Sequence, residues 1–262
     1  MTSPTAAVPA AARARRSAAL GLGLIASLAL IASVALRNPP DASAQGSLPE
    51  VDTALLLAVD VSNSVDDTRY YLQIEGIAKA LEDPGVISAI TNGPQASIML
   101  SIMAWSDRTE IAMPWVRIAS AADAKAVAAR IRRMPRINGQ FTCVSRSLRT
   151  IADKVIPQIP AKANRTVVDV SGDGREDCNP AEPVSDVRDE LVESKVIING
   201  LPILDGSEAA TIEQWYKDHV QGGHGSFVIA ADGYGDFERA FRQKFIVEIS
   251  GAPLPGRHAA VR

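Results

Sequence analysis

The feature that most constrains this chain is the alternation of short, mainly apolar runs with longer stretches of helical periodicity. Residues 54–59, 97–104, 167–170, 196–203 and 227–230 are apolar runs of strand length, and the first ends on Asp60. Strands covered on both faces read this way, because neither face can carry exposed polar side chains. Between them, residues 68–81, 121–133, 144–156, 183–194, 211–220 and 236–249 are patterned as helices. The alternation predicts an α/β fold, a doubly wound, mostly parallel sheet with helices on both faces. Residues 110–114 follow the second run after a turn at 106–109, too close for a crossover helix. They are expected as a short antiparallel edge strand.

Residues 1–44 stand outside this pattern. Arg13, Arg15 and Arg16 precede an apolar run at 17–36, followed by Pro39-Pro40-Asp41 and Ala42-Ser43-Ala44. This is the layout of a secretory signal peptide cleaved after Ala44. The run also approaches the ~20 residues that span a bilayer. An uncleaved anchor is therefore the alternative, and membrane contact is expected only in that case. Gly21-Leu22-Gly23-Leu24-Ile25-Ala26 matches a dinucleotide-binding pattern, but it follows no strand and has no such role. The expected organisation is a leader at 1–44, one folded domain at 51–249, a flexible tail at 250–262, and a periplasmic or secreted location.

Charge and composition remove other classes of function. The chain has 27 basic and 30 acidic residues, and loss of Arg13, Arg15, Arg16, Arg37 and Asp41 with the leader leaves 23 against 29. No basic surplus exists for nucleic acid. Three histidines and two cysteines form no zinc pattern, and no G-x-S-x-G supports serine hydrolysis.

In open α/β sheets the ligand site lies at the carboxyl ends of the strands, where strand order reverses. Two loops there carry polar groups: Asp60-Val61-Ser62-Asn63-Ser64 and Ser171-Gly172-Asp173-Gly174. Spacing by two lets a turning backbone aim one carboxylate and two hydroxyls into one small volume. That donor set suits a hard cation such as Mg2+, which takes about six oxygen ligands and keeps several waters. Thr142, at the start of a helix, offers a third hydroxyl, and Asp173 a second carboxylate. The plainer alternative is that Asp60, Ser62 and Ser64 cap the following helix. Asp66 and Asp67 read as electrostatic support for that helix. Asp169 is expected to pair with a neighbouring loop, Trp105, Trp115 and Trp215 to pack, and His224 to be solvated.

In order and in loop position, Asp60-x-Ser62-x-Ser64, Thr142 and Asp173 resemble the metal-ion-dependent adhesion site (MIDAS) of von Willebrand factor type A (vWA) domains. The resemblance covers roughly residues 52–249. The phrases at 57–62, 168–174 and 198–203 also resemble one bacterial, secreted subgroup of that superfamily whose function is not known. The resemblance implies that Ser62, Ser64 and Thr142 bind Mg2+, or Mn2+ in its place, directly or through water. It implies that Asp60 and Asp173 act mainly through water, and that an acidic residue of a protein partner completes the shell without catalysis. Asn63 departs from the common glycine, and Gly139-Gln140-Phe141 from the usual small residues before the threonine.

A rival resemblance is to haloacid-dehalogenase-type phosphatases, whose G-D-G-x-x-D loop is matched by 172–177, with Asp60 as nucleophile. Those enzymes need a general acid two residues later, where this chain has Ser62. A calcium EF-hand counted from Asp169 puts Pro180 where a bidentate acid is required. Export to an oxidising compartment, and the placing of the two cysteines beside Thr142 and five residues past Asp173, predict a Cys143–Cys178 disulfide.

Overall fold

The structure, a computed structural model, describes residues 47–178 and 181–251. The expected leader, and the expected tail from residue 252 onward, lie outside them. Strands β1 (Glu50–Asp60), β2 (Ile98–Trp105), β3 (Thr109–Ile118), β4 (Lys162–Gly172) and β5 (Val196–Pro202) form one sheet in the order β3-β2-β1-β4-β5. All neighbours pair in parallel except β2 and β3, which are antiparallel. The expected edge strand is present and longer than expected, and it carries Pro114, a residue edge strands tolerate because it has no N–H to offer a partner.

Side chains of β1 alternate between two cores. Leu55, Leu57 and Val59 pack on the face covered by α1 (Asp67–Glu82), α2 (Pro84–Thr91), α3 (Ala121–Ile131) and α7 (Phe237–Ser250). Leu56 and Ala58 pack on the opposite face with α4 (Val144–Thr150), α5 (Val184–Glu193) and α6 (Ile212–Trp215). This two-sided burial is why the strand sequence is a continuous apolar run.

Two sequence expectations are corrected, and one helix is added. Residues 227–230 do not form a strand: Val228 makes one isolated bridge to Gly200 of β5, and beyond the segment Ala231 makes another to Ile203, just past the end of β5. Pro202 lies between those bridges and has no N–H with which to continue a parallel ladder. The helix expected over 144–156 changes pitch, as a π-turn at Ile151–Val155 and a 3-10 turn at Ile156–Gln158 follow α4. Helix α2 was not anticipated, although its signal is in the sequence. Asp83 caps it by accepting from the N–H groups of Gly85 and Val86, and Pro84 occupies its first turn.

Candidate functional site

The carboxyl ends of β1 and β4 are adjacent, and the chain leaves the central strand β1 toward β2 on one side and returns through β4 on the other. The strand order reverses there, so the loops after Asp60 and Gly172 face each other.

Asp60 ends β1 fully buried, and its Oδ1 accepts from the Ser62 N–H at 2.7 Å. Ser62 Oγ lies 3.2 Å from Ser64 Oγ, and Ser64 Oγ donates to Asp173 Oδ1 at 2.6 Å. Asp60, Ser62, Ser64 and Asp173 thus form one connected set. Thr142 is beside them: a Cβ added to Gly174 would lie 3.1 Å from Thr142 Oγ1, so glycine lets the two loops approach. The triplet does not cap the helix that follows it. Asp66 does so, accepting from the Arg69 N–H at 2.8 Å.

The loops are pinned to one another. Gly139 N–H donates to Val61 O and Asn63 N–H to Gln140 O, joining the loop after β1 to the segment before Thr142. Gln140 N–H donates to Asp107 Oδ1 at 2.7 Å, which anchors the same segment to the turn after β2. The Gly139-Gln140-Phe141 departure is therefore accommodated by backbone pairing, with Phe141 left exposed at the lip. On the other flank Thr142 N–H donates to Asp177 Oδ1 at 2.7 Å, and Ser145 N–H to Glu176 Oε2 at 2.7 Å. The Cys143–Cys178 disulfide closes this flank. Glu176 and Asp177 were missed as site residues; the G-D-G-x-x-D match had flagged Asp177, for another chemistry.

Electrostatically the centre is an acid pair. Burial, and then the Asp173 charge, push the Asp60 carboxyl up to about 7. Asp60 Oδ2 is buried without a hydrogen-bond partner. The hydroxyls of Tyr216 and Tyr234 are also held above their ordinary range, first by burial and then by the charges of Asp60 and Asp173. Above the pair opens a cleft of about 530 Å3 lined by Ser64, Arg69, Thr142, Asp173, Glu208 and Trp215, among others. Arg69 pairs with Asp205 at 3.2 Å and Arg175 with Glu208 at 3.2 Å across its rim. Two close carboxylates and three hydroxyls fit a hard divalent cation.

Asp169 is placed differently from expectation. It pairs with Lys244 of α7 at 3.0 Å, a helix rather than a loop, because strand register turns it toward that face beside Asn199. Trp105 is packed in the core, and His224 is exposed. Among the described residues no helix is long and apolar enough to cross a membrane.

Residues 50–253 match the model of a family described as protein of unknown function (DUF1194). No curated protein matches the chain. Among solved structures the chain is similar to proximal thread matrix protein 1 from the mussel byssus, with a TM-score of 0.55 and 14% identity over 77% of this chain and 48% of that one. A further structure of that protein, with a zinc-occupied MIDAS motif, is 15% identical with a TM-score of 0.55 and the same coverage. A von Willebrand factor type A protein from Catenulispora acidiphila is 14% identical, with a TM-score of 0.54 over 76% of this chain and 43% of that one. The chain spans about half the length of these proteins. At such identities the likeness establishes the fold, which is that of a vWA domain.

Proposed function

The chain belongs to the DUF1194 family of proteins of unknown function, and from that premise we propose that it is an exported, non-enzymatic binding domain that captures a carboxylate of a protein partner at a divalent-cation site. Asp60, Ser62, Ser64, Thr142 and Asp173 would hold the ion, Mg2+ or in its place Mn2+. The observation that carries this reading is the connected set at the strand ends, in which the Asp60 and Asp173 carboxylates and the Ser62 and Ser64 hydroxyls meet and the two acids feel each other's charge. Two acids so close repel each other unless a proton or a cation lies between them. The zinc-occupied MIDAS motif of the mussel protein supports a cation in a domain of this fold.

A bound ion would supply an exchangeable coordination position for the incoming carboxylate. The protein's own groups do the rest. Asp60 fixes the Ser62 backbone through Oδ1, Asp173 orients the Ser64 hydroxyl, and Asp177 with the disulfide holds Thr142 at the cleft. Arg69 and Arg175, each paired with an acid, line the approach. The disulfide also supports export to an oxidising compartment. The phosphatase alternative has less support, since the Asp60 side chain is fully buried and Ser62 occupies the general-acid position.

Calorimetric titration with Mg2+ tests the proposal. Ser62→Ala with Ser64→Ala should weaken binding while leaving circular dichroism unchanged, and unchanged affinity would overturn the assignment. Partner capture should disappear with chelator. Metal-dependent hydrolysis of a phosphate ester by the wild type, lost in Asp60→Asn, would replace this reading with the enzyme.

A further inference from the structure

Three buried polar groups, Asp60 Oδ2, Trp105 Nε1 and Tyr216 Oη, make no hydrogen bond to one another or to any other group, and the residues that carry them gather against Gly172. A Cβ built there would lie 2.7 Å from Asp60 Oδ2, 2.8 Å from Tyr216 Oη and 3.1 Å from Trp105 Cζ2, the ring carbon two bonds from Nε1. The sheet explains two of the three. Asp60 and Trp105 are register partners at the ends of β1 and β2, so their side chains leave the same face. Tyr216 comes from that face's outer layer, at the start of the π-turn Tyr216–Val220 that follows α6. Trp105 and Tyr216 are both fully buried.

The chemistry of the three groups is complementary. An indole N–H can only donate, a phenol can donate, and a carboxylate oxygen can only accept. Buried donors and acceptors left unmade are costly, and in native proteins they are nearly always satisfied by one another or by water. Asp60 Oδ1 is already committed to the Ser62 N–H. Oδ2 is therefore the oxygen whose direction decides how the carboxylate addresses the loops above it.

We propose that Trp105 and Tyr216 are positioning residues, a two-donor aromatic floor that orients Asp60 through Oδ2 and so sets the cation affinity of the site from its buried side. This rests on the cation-site reading above. Groups that orient metal-site carboxylates from behind typically change metal affinity 10- to 100-fold when removed. The arrangement also gives Gly172 a reason: any side chain there would occupy the space the two donors share with Asp60.

Tyr216→Phe removes one oxygen and leaves the ring, so the fold is expected to persist. In calorimetric titration with Mg2+ it should bind at least about tenfold more weakly than the wild type, and Trp105→Phe should weaken binding in the same direction. A second arm needs no metal. The tyrosine contribution, obtained as the ultraviolet difference spectrum between each protein and its Tyr216→Phe counterpart, should change when Asp60 becomes Asn. Wild-type Mg2+ affinity in both aromatic variants, or identical tyrosine difference spectra, would overturn the proposal. If the wild type binds no Mg2+, the cation reading fails, and the absorption arm still decides the contact with Asp60.

Discussion

Replacing Lys244 by Met probes the polar network that ties α7 to the sheet. Lys244 has no exposure, and its Nζ lies 3.0 Å from Asp169 Oδ1 and also pairs with Glu248 one turn along the helix. Asn199 Nδ2 donates to Glu248 Oε1 at 2.8 Å, and Asn199 Oδ1 accepts from Phe227 N–H at 3.0 Å. Burial, and then the Glu248 charge, hold the Asp169 carboxyl well above the usual carboxylate range, with Lys244 opposing that rise. The ammonium of Lys244 thus faces two acids at once and, among the described residues, is the one cation paired with them. Methionine keeps the length of the side chain and removes its charge. Removing one partner of a buried pair costs about 3–5 kcal/mol, which for a domain of this size lowers Tm by roughly 6–20 °C.

Urea denaturation and calorimetry of Lys244→Met at pH 7 measure that loss. The pH profile gives an independent check. Folded Asp169 retains a proton that the unfolded chain releases near 3.8. Wild-type stability should thus fall as pH rises from that value through the raised folded pKa, by up to about 1.4 kcal/mol per pH unit, and then level off. Without Lys244 the decline should extend to higher pH, because the charge opposing the rise is gone. Adding Glu248→Gln should restore part of the stability by removing the uncompensated charge. A loss below about 1 kcal/mol, or a pH profile identical to the wild type, would refute this description of the network.

The remaining predictions are local. The cysteines are 35 residues apart, so alanine at both positions should destabilise the oxidised protein by about 4 kcal/mol on the chain-entropy estimate, read as a lower calorimetric Tm; an unchanged Tm would count against it. Asp66→Ala removes the N-cap of α1 and should cost about 1 kcal/mol by denaturant titration, with no change in Mg2+ affinity. Gly172→Ala puts a methyl within 3 Å of both Asp60 Oδ2 and Tyr216 Oη and should cost about 1–3 kcal/mol; wild-type stability in that variant would mean the space is larger than described.

Much of the fold was legible because its rules are local. The run ending at Asp60 reads as a doubly covered strand whatever lies beside it, and the short turn after β2 forces an antiparallel neighbour. The segment at 227–230 misled because apolarity alone does not show that Pro202, on the strand next to it, lacks the N–H a ladder needs. Asp60, Ser62, Ser64, Thr142 and Asp173 could be singled out because each lies at a loop beside an element end. Asp177 and Glu176 could not be given their part, since binding the amides of Thr142 and Ser145 depends on two loops meeting across 31 to 35 residues of chain.

Periodicity and punctuation, read along the chain, determined the class of sheet, the flanking helices and the loops where chemistry should gather. The tertiary structure alone decided which polar groups face which. Asp169 meets Lys244 rather than a loop because β4 turns odd-numbered residues such as Asp169 toward α7, and Tyr216 comes beneath Asp60 because the outer layer packs on the face to which β1 directs its last side chain. Such pairings follow from register and packing between segments distant in sequence, and burial then makes their energies large. Neither the register nor the burial is a property of any one stretch of residues.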